Sequence, residues 1–146
     1  MNELFRKLQD GDLLGLLMYG EARGEGLLGQ VAVGCVVRNR VRKSGKPYSD
    51  VILQPYQFSC FNTNDPNRSI LEKIAQAIVD GKDPQETSGI FQQCRWLAYG
   101  VINKSILDVT FGATHYFANT INKPSWANNM IETIRIGGHI FLKEKV

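Results

Sequence analysis

The densest run of chemistry-bearing side chains is Tyr19-Gly-Glu-Ala-Arg-Gly-Glu-Gly26. It places two carboxylates, Glu21 and Glu25, around one guanidinium, Arg23, among glycines at 20, 24 and 26. Glycine costs about 1 kcal/mol relative to alanine inside a helix, so three in seven positions predict that a helix ends here. Their missing side chains also leave room for a bulky polymer to reach Glu21. A carboxyl group at a helix end, beside Tyr19 and the apolar run before it, is partly desolvated. Desolvation and a neighbouring carboxylate are what bring such a group into the range of a general acid at neutral pH, while a nearby arginine opposes them. The competing reading is a solvated helix terminus in which Arg23 pairs with one of the glutamates.

Other candidates are more diffuse. Tyr56, Phe58, Phe61, Tyr116, Phe117 and Trp126 alternate with Gln57, Ser59, Asn62, Asn119 and Asn122. Aromatic faces beside amides suit sugar rings, which are apolar on the face and hydroxylated at the edge, although most aromatics of a small domain belong to its core. His115 and His139 are too few and too far from other ligand types for a metal centre, and no cofactor is expected. Cys35, Cys60 and Cys94 form no CxxC pair. They predict free thiols, two of them in helices, with Cys60 in a loop where it could be exposed. Arg38, Arg40, Arg42, Lys43 and Lys46 could grip phosphates, but at helical spacing the arginines spread over several faces and predict a solvated helix end rather than a nucleic-acid site.

The elements that must position these residues are legible from periodicity. Asp12 is a plausible N-cap for a helix that runs out at Gly20 to Gly24. Leu27 to Val41 carries apolar residues at the helical period, with arginines toward its C-terminal end. A short turn of helix is expected over Val51 to Leu53, and loop or strand over Tyr56 to Asn62. Asn67 or Ser69 caps an amphipathic helix through Ile78, and another helix covers roughly Thr87 to Asn103. The pattern then changes: Ala113 to Ala118 reads as extended, Ile131 to Ile136 alternates, and Gly137-Gly138 turns the chain back through His139 to Lys143. The expected fold class is α+β, mostly helical, with a small β element ending in a C-terminal hairpin.

Length and composition agree. The 146 residues suit one domain over 1–146, with 43% apolar and 21% charged residues, which excludes wholesale disorder. The net charge of +3 is compatible with an anionic partner and demands none. No stretch approaches 18 apolar residues, so no membrane-spanning helix is expected. The first residues mix both charge signs and lack an apolar export segment, which predicts a protein made in the cytoplasm.

Five ordered blocks resemble SleB-type cell-wall hydrolases, the catalytic domains of spore cortex-lytic enzymes that phage lysins also use. The blocks are Tyr19-Gly-Glu-Ala-Arg-Gly-Glu with Gly29-Gln-Val-Ala-Val-Gly-Cys-Val-Val-Arg-Asn-Arg-Val, then Pro55-Tyr-Gln-Phe-Ser, Gly112-Ala-Thr-His-Tyr-Phe-Ala, Pro124-Ser-Trp-Ala and Ile136-Gly-Gly-His-Ile-Phe. The resemblance implies a lysozyme-like fold and cleavage of the β-1,4 bond between N-acetylmuramic acid and N-acetylglucosamine in peptidoglycan. It implies Glu21 as catalytic acid, with Glu25 and Arg23 positioning it or the substrate. Tyr56, Gln57, Phe58, Ser59, His115, Tyr116, Asn119 and Trp126 are the expected substrate-binding residues. Activity in the family is often lytic transglycosylation, which needs one carboxylate. Hydrolysis would need a second, with Glu25, Asp50 and Asp65 as candidates. After His115 the chain reads Tyr-Phe-Ala-Asn-Thr, where the family more often has aromatics and Asn-Pro. The absent export signal and absent wall-binding repeats suggest a monomeric, endolysin-like protein released through a holin-type pore. The alternative from another class is a wall-glycan binding protein that has lost turnover.

Overall fold

The structure is a computed structural model, and it describes residues 2–145. Six α-helices come first: α1 (Glu3–Arg6), α2 (Asp10–Ala22), α3 (Gly26–Ser44), α4 (Tyr48–Ile52), α5 (Pro66–Val79) and α6 (Ile90–Ile102). Three strands follow, β1 (His115–Ala118), β2 (Met130–Ile136) and β3 (His139–Glu144), with single 3-10 turns at Ser59–Phe61 and Ser125–Asn129. The mostly helical α+β reading holds.

Helix α2 is the hub. Every residue from Gly11 to Tyr19 is buried, as expected of a helix whose apolar residues go all the way round and so must be wrapped by others. Helices α3, α4, α5 and α6 all pack against it. The α6 crossing is closest at Gly15, where a Cβ would lie 2.6 Å from the Arg95 Cα. Only glycine lets the two backbones meet there. The helix carries the first motif glycine within its last turn and stops at Ala22, so Glu21 is delivered at its C-terminal end.

Several helix starts differ from expectation, each because a side chain has a better partner. Asp12 is not a cap: it is buried, and its Oδ1 accepts from Arg95 Nε at 2.7 Å and from the Tyr99 hydroxyl at 3.1 Å. The N-cap position falls three residues earlier, at Gln9, and the helix begins at Asp10. Helix α5 is capped by Asp65, whose carboxylate accepts from Asn67 N at 2.8 Å with Pro66 in the first turn, which leaves Asn67 and Ser69 inside the helix. Helix α6 begins at Ile90 rather than Thr87, because Gly89 sits at φ +77° and the Glu86 carboxylate accepts from the Ser88 and Phe91 amides.

The strands form an antiparallel sheet in the order β1-β3-β2, with Tyr116 opposite Phe141 and Phe117 opposite Ile140. Alternation gives it two faces. Tyr116, Ile136 and Phe141 pack toward Ala32 and Val36 of α3, whereas Phe117, Ile140 and Leu142 pack with Ala127 on the far side. The first face thereby looks at the end of α2.

Two further expectations are corrected. The arginines of α3 are not simply a solvated end: Arg38 donates to the Val101 and Ile106 carbonyls at 2.8 and 2.9 Å, and Arg40 donates to the Thr114 carbonyl. These bonds tie α3 to the segments at the end of α6 and at the start of β1. Cys60 is buried like Cys35 and Cys94, and all three thiols are free.

Candidate active site

Glu21 meets the sheet through Tyr116, whose hydroxyl donates to Glu21 Oε1 at 2.7 Å across 95 residues of sequence. Burial, reinforced by the Glu21 charge, pushes the Tyr116 hydroxyl well above its ordinary pKa. It therefore stays protonated and acts as a donor. Behind the carboxylate, the Cys60 thiol lies against the α2 backbone, and a Cβ on Gly20 would sit 2.8 Å from its sulfur. Burial first, then the nearby Glu21 carboxylate, raise the Cys60 pKa far above that of a free thiol. Cys60 is thus a neutral neighbour of Glu21 and not a nucleophile.

Glu25 faces the other way. Its Oε1 accepts from the Gly138 amide at 2.6 Å in the β2–β3 turn and lies 3.8 Å from His139 Nδ1. The glycines are required for this contact. Gly137 holds φ +54°, and a Cβ there would lie 2.7 Å from Glu25 Oε1. The carboxylate therefore fits over the hairpin turn because two side chains are missing. The His139 ring then packs against Tyr116 at 4.9 Å between centroids. A continuous path leads from Glu25 to the hairpin, to His139, to Tyr116 and to Glu21.

Arg23 pairs with neither glutamate, contrary to the competing reading. It donates to the Asn67 side chain at the start of α5 and lies over the Tyr19 ring at 4.8 Å. Gln30 donates to the Arg23 carbonyl at 3.4 Å and accepts from Gln93 at 2.7 Å, bracing the turn from α3 and α6. Among the described residues, two buried polar side-chain atoms lack a partner, Arg23 Nη1 and His139 Nδ1. They flank the Glu21–Glu25 turn. The other two candidate second carboxylates are also engaged: Asp50 pairs with Arg6 at 3.0 Å, and Asp65 caps α5.

The expected substrate-binding residues divide into groups. Tyr116 joins Glu21. Phe58 is buried, 3% exposed, under the Arg40 guanidinium, and is a core residue on its buried side. Tyr56 is 87% exposed, and with Phe58 it lines a groove of about 470 Å³ that also includes Asn62 and Arg68. Ser59 is exposed at the start of the 3-10 turn. Gln57 accepts from Arg40 at 3.1 Å and shares a second groove with His115. His115 and Trp126 stack at 5.3 Å on the sheet face away from Glu21. Asn119 holds the hairpin, its amide donating to the Gly138 carbonyl at 2.8 Å. Among the described residues, no three His, Cys, Asp or Glu side chains converge as a metal ion would require.

Residue type and spacing do not mark His139, Asn67, Arg40 and Cys60 as neighbours of the glutamates. The motif Ile136-Gly-Gly-His139 held the available signal for His139: a histidine following a two-glycine turn, which only the sheet's pairing brings beside Tyr116.

Comparison with known proteins identifies the family and the fold. The Cell Wall Hydrolase family matches residues 24–142. The spore cortex-lytic enzyme of Halalkalibacterium halodurans is 31% identical over 134 residues, covering 90% of this chain and 34% of that protein. The spore cortex-lytic enzyme of Bacillus cereus is 30% identical, covering 92% of this chain and 44% of that protein. The chain thus spans less than half the length of these relatives. Among solved structures, the catalytic domain of the Bacillus cereus SleB protein superposes with a TM-score of 0.62 at 32% identity, covering 92% of this chain and 89% of that one. The catalytic domain of the germination-specific lytic transglycosylase SleB from Bacillus anthracis gives 0.63 at 29%, covering 92% and 93%. By sequence and by fold, this chain belongs to the cell wall hydrolase family of SleB-type domains.

Proposed function

We propose that this chain cleaves the glycan strands of peptidoglycan at the β-1,4 bond between N-acetylmuramic acid and N-acetylglucosamine, as a lytic transglycosylase with Glu21 as its single catalytic carboxyl group. The observation that carries the reading is the inequality among the acids. Glu21 presents its carboxyl at the end of α2 with a half-buried tyrosine donating to one oxygen, whereas Glu25, Asp50 and Asp65 are each committed to a structural partner.

The chemistry then needs only one acid. Glu21 gives its proton to the glycosidic oxygen as the bond to the muramic anomeric carbon breaks. The muramic C6 hydroxyl closes on that carbon, and the Glu21 carboxylate takes the hydroxyl proton, so the acid is regenerated without a catalytic water. Tyr116 holds the carboxyl in place and, by donating, steadies the charge it carries between the two transfers. The SleB relatives, one of them a germination-specific lytic transglycosylase, support this activity class. In the same reading the protein works as a monomer in an endolysin-like role, meeting the wall after holin-type release. That setting predicts that expression inside a bacterium lyses the cell only once the membrane is opened by a co-expressed pore or by chloroform.

The enzyme reading is tested by digesting purified peptidoglycan with the wild type and with Glu21→Gln, reducing the products and weighing them. Expected are fragments that resist reduction and are lighter by one water, with none from Glu21→Gln. Reducible muramic ends would replace transglycosylation by hydrolysis. A Glu21→Gln rate above a tenth of wild type would remove Glu21 from its role.

A further inference from the structure

A groove of about 380 Å³ has a lining that includes Arg40, Lys46, Gln54, Gln57, Thr114 and His115, the last two on the segment that runs into Tyr116. Its charge is unbalanced. Lys43, also on the rim, is neutralised by Glu144 at 2.6 Å. Arg40 has no such partner: among the described residues no carboxylate stands within ion-pair distance of it.

The Arg40 guanidinium is nevertheless fixed in place. Its Nε donates to the Thr114 carbonyl, its Nη1 donates to Gln57 Oε1 at 3.1 Å, and it packs on the Phe58 ring at 5.2 Å. Nη2 is left without a hydrogen bond among the described residues. A half-buried arginine immobilised by neutral partners is arranged to meet an anion from outside, because its ordering is already complete and its charge is uncompensated. Burial lowers the His115 pKa, with Arg40 acting the same way, so the imidazole is neutral near pH 7 and does not repel a cation or bind an anion by charge. Thr114 and His115 lead directly into Tyr116, so the strand segment that walls the groove continues into the residue that holds Glu21.

We propose that this groove is a carboxylate-binding subsite, in which Arg40 and Lys46 hold an acidic group of the wall polymer and so register the neighbouring glycosidic bond on Glu21. The proposal rests on the glycan-cleaving reading above. Neutral sugar would leave two cationic side chains facing uncharged hydroxyls, whereas the guanidinium edge matches a carboxylate. Peptidoglycan supplies that group in two ways, as the free carboxylates of its peptide stems or as the muramic lactyl carboxylate once a stem is removed.

The test uses teichoic-acid-free peptidoglycan in three forms: intact, with stem carboxylates amidated, and stripped of stems by an amidase. Fragment release gives KM and kcat, and sedimentation of Glu21→Gln with the insoluble polymer reads binding without turnover. Amidation is expected to raise KM and weaken sedimentation about tenfold, as loss of one charge-assisted contact implies. Lys46→Glu, placed alone or in the Glu21→Gln background, should do the same on intact polymer and little more on amidated polymer. Lys73→Glu, an equal charge change on exposed α5, should do neither. Stripped strands, soluble once their cross-links are gone, serve as competitors: displacing Glu21→Gln from intact polymer shows that the lactyl carboxylate fills the site, and failing to displace it assigns the stem carboxylate. Indifference of both readouts to amidation, or an equal loss from Lys73→Glu, overturns the subsite. If the wild type releases no fragments while amidation still weakens sedimentation, the catalytic reading fails and the subsite stands.

Discussion

The Glu21–Tyr116 hydrogen bond carries the largest chemical consequence of any single contact in the molecule. A hydroxyl that donates to a carboxylate in a water-poor site contributes about 1.5–3 kcal/mol. Its pKa, pushed up by burial, keeps it a donor throughout the neutral range. Tyr116→Phe removes that donor and nothing else, since the ring keeps its contacts with His139 and Phe141 at 4.9 and 5.6 Å. The expected outcome is a fall in kcat of about 10- to 100-fold, an unchanged product mass and a melting temperature close to wild type. A variant with full kcat would mean that the tyrosine only fills space. At this scale the sequence was partly legible. Glu21 stands out by its glycine surroundings, and Tyr116 by its place in an aromatic block. What periodicity could not reveal is that the two touch, because a contact across 95 residues depends on the sheet's register and on where α2 ends.

Glu25 exerts its effect through an element, the β2–β3 hairpin. Tyr116 lies on β1, which pairs only with β3, and β3 emerges from the turn that Glu25 holds. Loosening that turn lets the strand shift and carries the Tyr116 hydroxyl away from Glu21. A general base and a hairpin anchor make opposite predictions for the amide variant. Glu25→Gln retains an oxygen that accepts from the Gly138 amide, so it should keep most of the kcat, while Glu25→Ala should lose about tenfold with the product mass unchanged. A Gln variant as inactive as the Ala variant would restore Glu25 as a proton-transfer group. Gly137→Ala tests the same clamp from the other side. A Cβ 2.7 Å from the carboxylate oxygen at φ +54° should cost about 1–3 kcal/mol of stability, seen as a lower urea midpoint. The elements themselves were mostly legible because apolar period and turn residues act locally. Their starts were not, because Asp12 and Asp65 chose between capping and tertiary partners on grounds that only the packed molecule supplies. The hairpin was read from Gly137-Gly138 as a turn signal, yet the reason that both residues are glycine lies 112 positions earlier in Glu25.

For the molecule as a whole, the three buried thiols set how stability responds to alkali. Cys35, Cys60 and Cys94 are free, and burial raises the pKa of each, that of Cys94 up to about 12. In the unfolded chain each thiol ionises near its reference value of 9.0. A group whose folded pKa is raised contributes stability that is fully present below the unfolded value and is lost as pH rises toward the folded one. Between pH 9 and about 12 the unfolded state therefore sheds the Cys94 proton that the folded state keeps, and unfolding grows more favourable by about 1.4 kcal/mol per pH unit from that thiol, with Cys35 and Cys60 acting in the same direction. Tyr116 adds to the same trend above pH 10, its hydroxyl being held protonated by burial. Below pH 9 the thiols contribute no slope, and with no disulfide to break, dithiothreitol should leave melting temperature and activity unchanged. The expected curve is thus flat to reductant at pH 7 and falls steeply above pH 9. Cys94→Ala should lower the melting temperature at pH 7 through the cavity it leaves, and it should flatten the alkaline limb by one proton per molecule, read from the pH dependence of the urea unfolding free energy. An alkaline slope identical to wild type would show that the Cys94 thiol ionises alike in both states. A melting temperature lowered by dithiothreitol would contradict the free-thiol core itself.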